Sequence, residues 1–123
     1  MYSPLVLDHF RNPRNGGVVP DATASGQARN EGCGDEVQLS FRLEGGQIAE
    51  ARFLAQGCVA SIACASRLTE LVRGRTPLEA LRLDRASLAA ALDGLPPTSQ
   101  HAAQLALDAL RAALGGGGPA ALR

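Results

Sequence analysis

Lysine is missing from this sequence: all twelve basic residues among its 123 are arginine. Covalent chemistry through a lysine amine, Schiff-base formation included, is therefore excluded. Tryptophan is absent as well, and aromatic residues make up only 3% of the chain. A core this poor in large rings must be built from Leu, Ala, Val and Ile, which argues against an enzyme that encloses a bulky organic substrate. Charge of one sign is also lacking, because twelve carboxylates balance the twelve arginines. The one-sided basic balance of a nucleic-acid binder is not there, and no nucleic-acid partner is expected. No apolar stretch approaches the roughly 18 residues of a membrane span, so no membrane partner is expected either. Met1-Tyr2-Ser3-Pro4 has neither the basic nor the apolar region of a secretory signal. The expected location is the cytoplasm, where thiols stay reduced. The three cysteines, an odd number, then read as ligands or core residues rather than disulfide partners.

What the chain does contain is enough for one domain. Apolar residues are 46% of it, and a chain of this length buries roughly two-thirds of its unfolded surface without covalent staples. Ser3 followed by Pro4 predicts a short helix over 4–11, ended by the breakers Asn12-Pro13-Arg14-Asn15-Gly16-Gly17. A short edge strand is expected near Ser25–Arg29. Residues 36–43 alternate, with Val37, Leu39, Phe41 and Leu43 on one face and Glu36, Gln38, Ser40 and Arg42 on the other, as in a half-buried strand. Gly45-Gly46 offers a tight hairpin turn into a second strand, 47–55, with Ala49, Ala51, Phe53 and Ala55 facing inward. After Gly57-Cys58 the period changes to three and four, through Ala60, Cys64, Leu68 and Leu71, predicting a helix over 59–73 closed by Gly74. Thr76-Pro77-Leu78-Glu79 is a capping box for a short helix, and another is expected near 85–92. Leu95-Pro96-Pro97 reads as extended. A last helix, about 99–114, carries Ala102, Leu105, Ala106, Ala109, Leu110 and Ala113 on one stripe. The fold class that follows is α+β: a small antiparallel sheet of about three strands with helices packed on one face. It forms one domain, 1–114, before a flexible glycine-rich tail, 115–123.

Four residues carry candidate chemistry. Cys33 and Asp35 stand two apart just before a strand, so in extended backbone they project to the same side, and the flanking Gly32 and Gly34 remove bulk. Cys58 sits where a strand gives way to a helix N-terminus, a position that favours an anion and hence the metal-binding thiolate. His101 falls in the first turn of the last helix, off its apolar stripe. Each alone also fits a plain structural role: a Cys-Gly-Asp turn, a small buried thiol, a cap or surface histidine. His9 is read as a surface or cap residue. Cys64 is six residues beyond Cys58, about 240° around a helix, and shares the face of Ala60 and Leu68, so it reads as core. Together, two thiolates, an imidazole and a carboxylate suit zinc or iron with sulfide.

With these residues in place, the chain resembles the IscU/NifU-type iron–sulfur cluster assembly scaffolds over residues 1 to about 114. The resemblance is carried by Tyr2-Ser3, Asp8-His9-Phe10-Arg11-Asn12-Pro13-Arg14-Asn15 and Cys33-Gly34-Asp35. It continues through Ala51-Arg52-Phe53, Gly57-Cys58, Thr69-Glu70 and Leu95-Pro96-Pro97 ahead of His101. It implies a scaffold rather than an enzyme, one that binds iron and sulfide transiently and hands the cluster to acceptor proteins. A cysteine desulfurase would deliver sulfur as persulfide to Cys33 or Cys58. A [2Fe–2S] cluster is the implied cargo, zinc an alternative occupant, and Asp35 the ligand that keeps the cluster labile. Two positions depart from the family pattern. The ligand cysteine that usually follows the histidine is Ala102 here. The Leu-Pro-Pro-Val-Lys segment read by a dedicated chaperone is Leu95-Pro96-Pro97-Thr98-Ser99, so that partnership is not implied. Three readings stay open on these grounds: a cluster scaffold, a zinc protein that relays persulfide sulfur, and an interaction domain that binds no metal.

Overall fold

The computed structural model describes residues 1–115; the greater part of the expected tail, 116–123, lies outside the described residues. The chain runs α1 (Pro4–Arg11), β1 (Ala24–Arg29), β2 (Glu36–Glu44), β3 (Gln47–Gln56), α2 (Val59–Val72), α3 (Pro77–Ala80), α4 (Arg85–Ala90), a single 3-10 turn (Pro97–Ser99) and α5 (Gln100–Leu114). The three strands form one antiparallel sheet in the order β1-β2-β3. Among the described residues no helix is long and apolar enough to cross a membrane.

Local chemistry accounts for each boundary. The Ser3 hydroxyl oxygen accepts from the Val6 N–H at α1, and Thr76 and Glu79 complete a reciprocal capping box at α3. Gly45 and Gly46 both have positive φ, 61° and 80°, as the two-residue hairpin between Glu44 and Gln47 requires. The alternation in β2 holds, with Val37, Leu39 and Phe41 fully buried. In β3 the inward set differs from expectation. Arg42 pairs with Glu50 but Leu43 pairs with Ile48, so Ala49 is the extra residue of a bulge, which changes the phase of the strand. Ile48 is buried in the core and Ala49 is only half-buried. Ser40, expected on the outer face, is buried because the chain ahead of β1 crosses it, with the Val19 N–H donating to Ser40 Oγ at 2.9 Å. Pro97, expected to be extended, opens the 3-10 turn that leads into α5.

Helices α2 and α5 cover the inner face. Helix α2 is buried nearly all round, through Ala60, Ala63, Cys64, Leu68 and Val72, while Leu71 is half-buried. Helix α5 buries Ala102, Ala103, Leu105, Ala106, Leu107, Ala109 and Leu110, leaving Ala113 half-buried. It lies close along β1: a Cβ on Gly26 would run into the backbone of Ala112 and Ala113. The other end of that strand reaches the start of the helix, where Arg29, Asn30, His101 and Gln104 line one cleft. Gly26 thus lets the C-terminal end of α5 lie close on β1, while the start of the helix brings His101 beside Arg29 and Asn30.

The reading of His9 as a surface residue is overturned. It is buried at 2% exposure, with Nδ1 2.7 Å from Ser66 Oγ and Nε2 3.3 Å from Glu70 Oε1. Nε2 faces the Glu70 carboxylate, which only accepts, so the neutral ring carries its proton there. Nδ1 accepts from Ser66 Oγ, which itself accepts the Arg14 N–H at 2.8 Å. The motif Asp8-His9 through Arg14-Asn15 is therefore the joint that clamps α1 to α2, helped by Asn15 donating to Thr69 Oγ1 at 3.0 Å. Burial pushes the His9 imidazole below its ordinary range, and Arg14 and Arg67 push the same way against Glu70 and Asp8. The unfolded chain then binds more protons than the folded one as pH falls below about 6.5. Stability is full above that value and is lost as pH drops toward the folded pKa, by at most ~1.4 kcal/mol per pH unit. Melting curves between pH 7.5 and 5 should show this decline in the native protein and a flatter profile in His9→Gln, which has no proton to take up.

Candidate metal centre

The β1–β2 connection is built by Asn30. Its side-chain oxygen accepts the N–H groups of Gly32 (2.9 Å) and Cys33 (3.3 Å), and its carbonyl accepts that of Gly34 at 2.7 Å. This side-chain turn, with Gly34 at φ 78°, holds Cys33 exposed on the loop and turns Asp35 inward at 5% exposure. Across from it, the first turn of α5 presents His101, whose side chain is 39% exposed. Ligand atoms of Cys33, Asp35 and His101 all lie within 4.8 Å of one another, and His101 Nε2 stands 3.9 Å from Asp35 Oδ2. These are three of the four residues the sequence singles out, gathered from a loop and a helix start some seventy positions apart in the chain.

Cys58 borders this group without belonging to it. It is the N-cap of α2, its sulfur accepting the Ser61 N–H at 3.4 Å, and it lies near enough to Asp35 to favour the ionised carboxylate. Burial pushes the Asp35 carboxyl up. The hydrogen bond from Ser61 and the nearness of Cys58 and Cys33 outweigh that and hold it below the usual carboxylate range. Asp35 is thus ionised near neutral pH, in the form that ligates a cation. Cys64 is in the core, as expected, fully buried, with its thiol pushed up to about 12 by burial and by neighbouring Cys58. Ala102 is fully buried.

Three residues that complete the site escape a reading of the sequence. Asn30 shapes the loop, Ser61 donates to Asp35 Oδ2 at 2.8 Å, and Gly57, at φ 141°, leaves the space that the Asp35 carboxyl occupies. An Asn ahead of a Gly-containing turn is a recognisable signal. A serine inside a helix of small residues carries none, and Gly57-Cys58 marks the end of a strand without showing that its glycine makes room for Asp35.

Chemically, one thiol, one carboxylate and one imidazole at mutual ligating distance, with a second thiol alongside, form a mixed soft and hard donor set. It fits zinc or iron better than a hard cation, which would call for oxygen ligands only. Two of the donors are exposed enough for a ligand to be taken up or passed on.

Residues 1–116 match the family model of the NifU-like N terminal domain. The iron–sulfur cluster assembly scaffold protein IscU 1 of Archaeoglobus fulgidus is 43% identical over 114 residues, covering 93% of this chain and 74% of the relative. The scaffold protein IscU of Aquifex aeolicus is 41% identical over 115 residues, covering 92% and 73%. Among solved structures, a protein assigned to iron–sulfur cluster assembly in the SUF system of Fervidobacterium islandicum AW-1 superposes with a TM-score of 0.78 at 25% identity, over 92% of this chain and 96% of that one.

Proposed function

The chain belongs to the family of NifU-like N-terminal domains, and from that premise we propose that it is an iron–sulfur cluster assembly scaffold, a binding protein rather than an enzyme. The single observation that carries this reading is the approach of the ligand atoms of Cys33, Asp35 and His101 to within 4.8 Å of one another. In it, residues 1–114 act as one scaffold domain. Cys33, Asp35, Cys58 and His101 hold the metal, with Cys58 turning from its cap position to complete the set. The cargo is a [2Fe–2S] cluster, and zinc would take the same donors when iron is scarce. Cys33 and Cys58 receive persulfide sulfur from a cysteine desulfurase, and acceptor proteins take the product. A reducing compartment such as the cytoplasm suits both thiols.

Position 102 shapes the chemistry expected. With alanine where relatives of the resembled type carry a third ligand cysteine, one oxygen and one nitrogen share the site with two sulfurs. Softer thiolates are the preferred iron–sulfide ligands, so the cluster should be held less firmly than by three cysteines and released more readily.

Anaerobic reconstitution with ferrous iron, cysteine, a desulfurase and dithiothreitol tests the proposal. The purified product should show visible sulfide-to-iron charge-transfer absorption and matching iron and sulfide content, and should transfer both to an apo-ferredoxin. A colourless product that contains neither would sink the scaffold reading.

A further inference from the structure

Beyond the four ligand candidates, Ser61 is the side chain most tightly built into the centre. It lies in the first turn of α2 and is fully buried. Its hydroxyl donates to Asp35 Oδ2 at 2.8 Å and stands 3.3 Å from Cys58 Sγ. A hydroxyl has one proton to give, and a carboxylate is the stronger acceptor of its two neighbours. The proton therefore goes to Asp35 and not to the Cys58 sulfur. The oxygen that Ser61 grips is also the one 3.9 Å from His101 Nε2. On the opposite side the backbone of Gly57 closes against the same carboxyl group. Asp35 is thus clamped between a hydroxyl and a glycine, and it cannot rotate without stripping a buried hydroxyl of its partner.

We propose that Ser61 is a positioning residue for the metal ligand Asp35: its hydroxyl fixes the carboxylate between Cys33 and His101 and thereby sets the affinity of the site. This rests on the reading that those three residues bind metal. Hydrogen-bonding partners of ligating side chains contribute about 10- to 100-fold in metal affinity, and this one has no other carboxylate to serve.

The test is zinc affinity, measured by competition with a chromophoric chelator, for the native protein, Ser61→Ala, Asp35→Ala and the double variant. Ser61→Ala should weaken zinc binding about 10- to 100-fold with its helical circular dichroism retained, since alanine is the better helix former. In the Asp35→Ala background the same change should matter less than about twofold, because its effect runs through the carboxylate. Ser61→Thr, which keeps the hydroxyl, should recover most of the lost affinity. Undiminished binding by Ser61→Ala, an equal loss with and without Asp35, or a Thr variant as weak as Ala would each overturn the proposal. Failure of the native protein to bind zinc at all would overturn the metal-site reading itself, a result the chelator assay separates from the others.

Discussion

Gly57→Ala is expected to cost about 2–6 kcal/mol of stability and to abolish tight metal binding. Two independent strains add at this one position. The backbone there has φ 141°, a region that L side chains rarely adopt, worth ~1–3 kcal/mol. A Cβ would also fall inside van der Waals contact of the Asp35 carboxyl group, and overpacking a buried site adds a similar amount. The carboxylate is the softer of the two obstacles, so it gives way, and in doing so it leaves Ser61 and the space between Cys33 and His101. Binding should therefore fall further than stability does. Urea unfolding followed by circular dichroism reads the first effect and a zinc titration reads the second. A variant with native affinity would mean that Asp35 is not held where the metal needs it.

The second large effect concerns the thiols. Cys33→Ser removes the only sulfur in the three-atom group, leaving an oxygen and a nitrogen that favour neither iron with sulfide nor tight zinc. Since partners one step removed from a metal already contribute up to ~100-fold, loss of the ligand itself should exceed that. Cys58→Ser should likewise lower the iron and sulfide retained, because Cys33, Asp35 and His101 leave the fourth position to a weakly held exogenous ligand. Cys64→Ala is the control. That thiol is fully buried with its pKa pushed up to about 12, so its loss should lower stability slightly through packing and leave the visible spectrum intact. Iron and sulfide content per chain, measured for the three variants side by side, separates ligand from core residue.

How far the sequence anticipates the molecule can be judged element by element. Period-two and period-three-four patterns mark β2, β3 and the longer helices, because burial of one face dictates spacing. The polar edge strand β1 carries no such pattern. The bulge at Ala49 leaves no such mark: Ile48 and Ala49 are both apolar, and only pairing with β2 decides which faces inward. Histidine at position 9 looks like a surface residue because its partners, Ser66 and Glu70, lie a helix away in the fold and nearly sixty residues away in the chain. At the centre, Cys33 and Asp35 are legible as a pair through their spacing. Their meeting with His101 depends on the start of α5 packing beside Arg29 and Asn30, a packing fact invisible in composition. Cys58 illustrates the opposite case. Its place at the start of α2 follows from the change of period, yet the cap bond that turns its sulfur toward Ser61 N–H and out of the three-ligand group is a matter of one side-chain rotation.

X-ray absorption spectroscopy of the zinc-loaded protein at the zinc edge reads directly whether Cys33, Asp35, Cys58 and His101 hold one ion. A shell of mixed character is predicted, with sulfur near ~2.3 Å from Cys33 and Cys58 and nitrogen and oxygen near ~2.0 Å from His101 and Asp35. A shell of nitrogen and oxygen alone, unchanged in Cys33→Ser, would show that the ion sits elsewhere and would contradict the account.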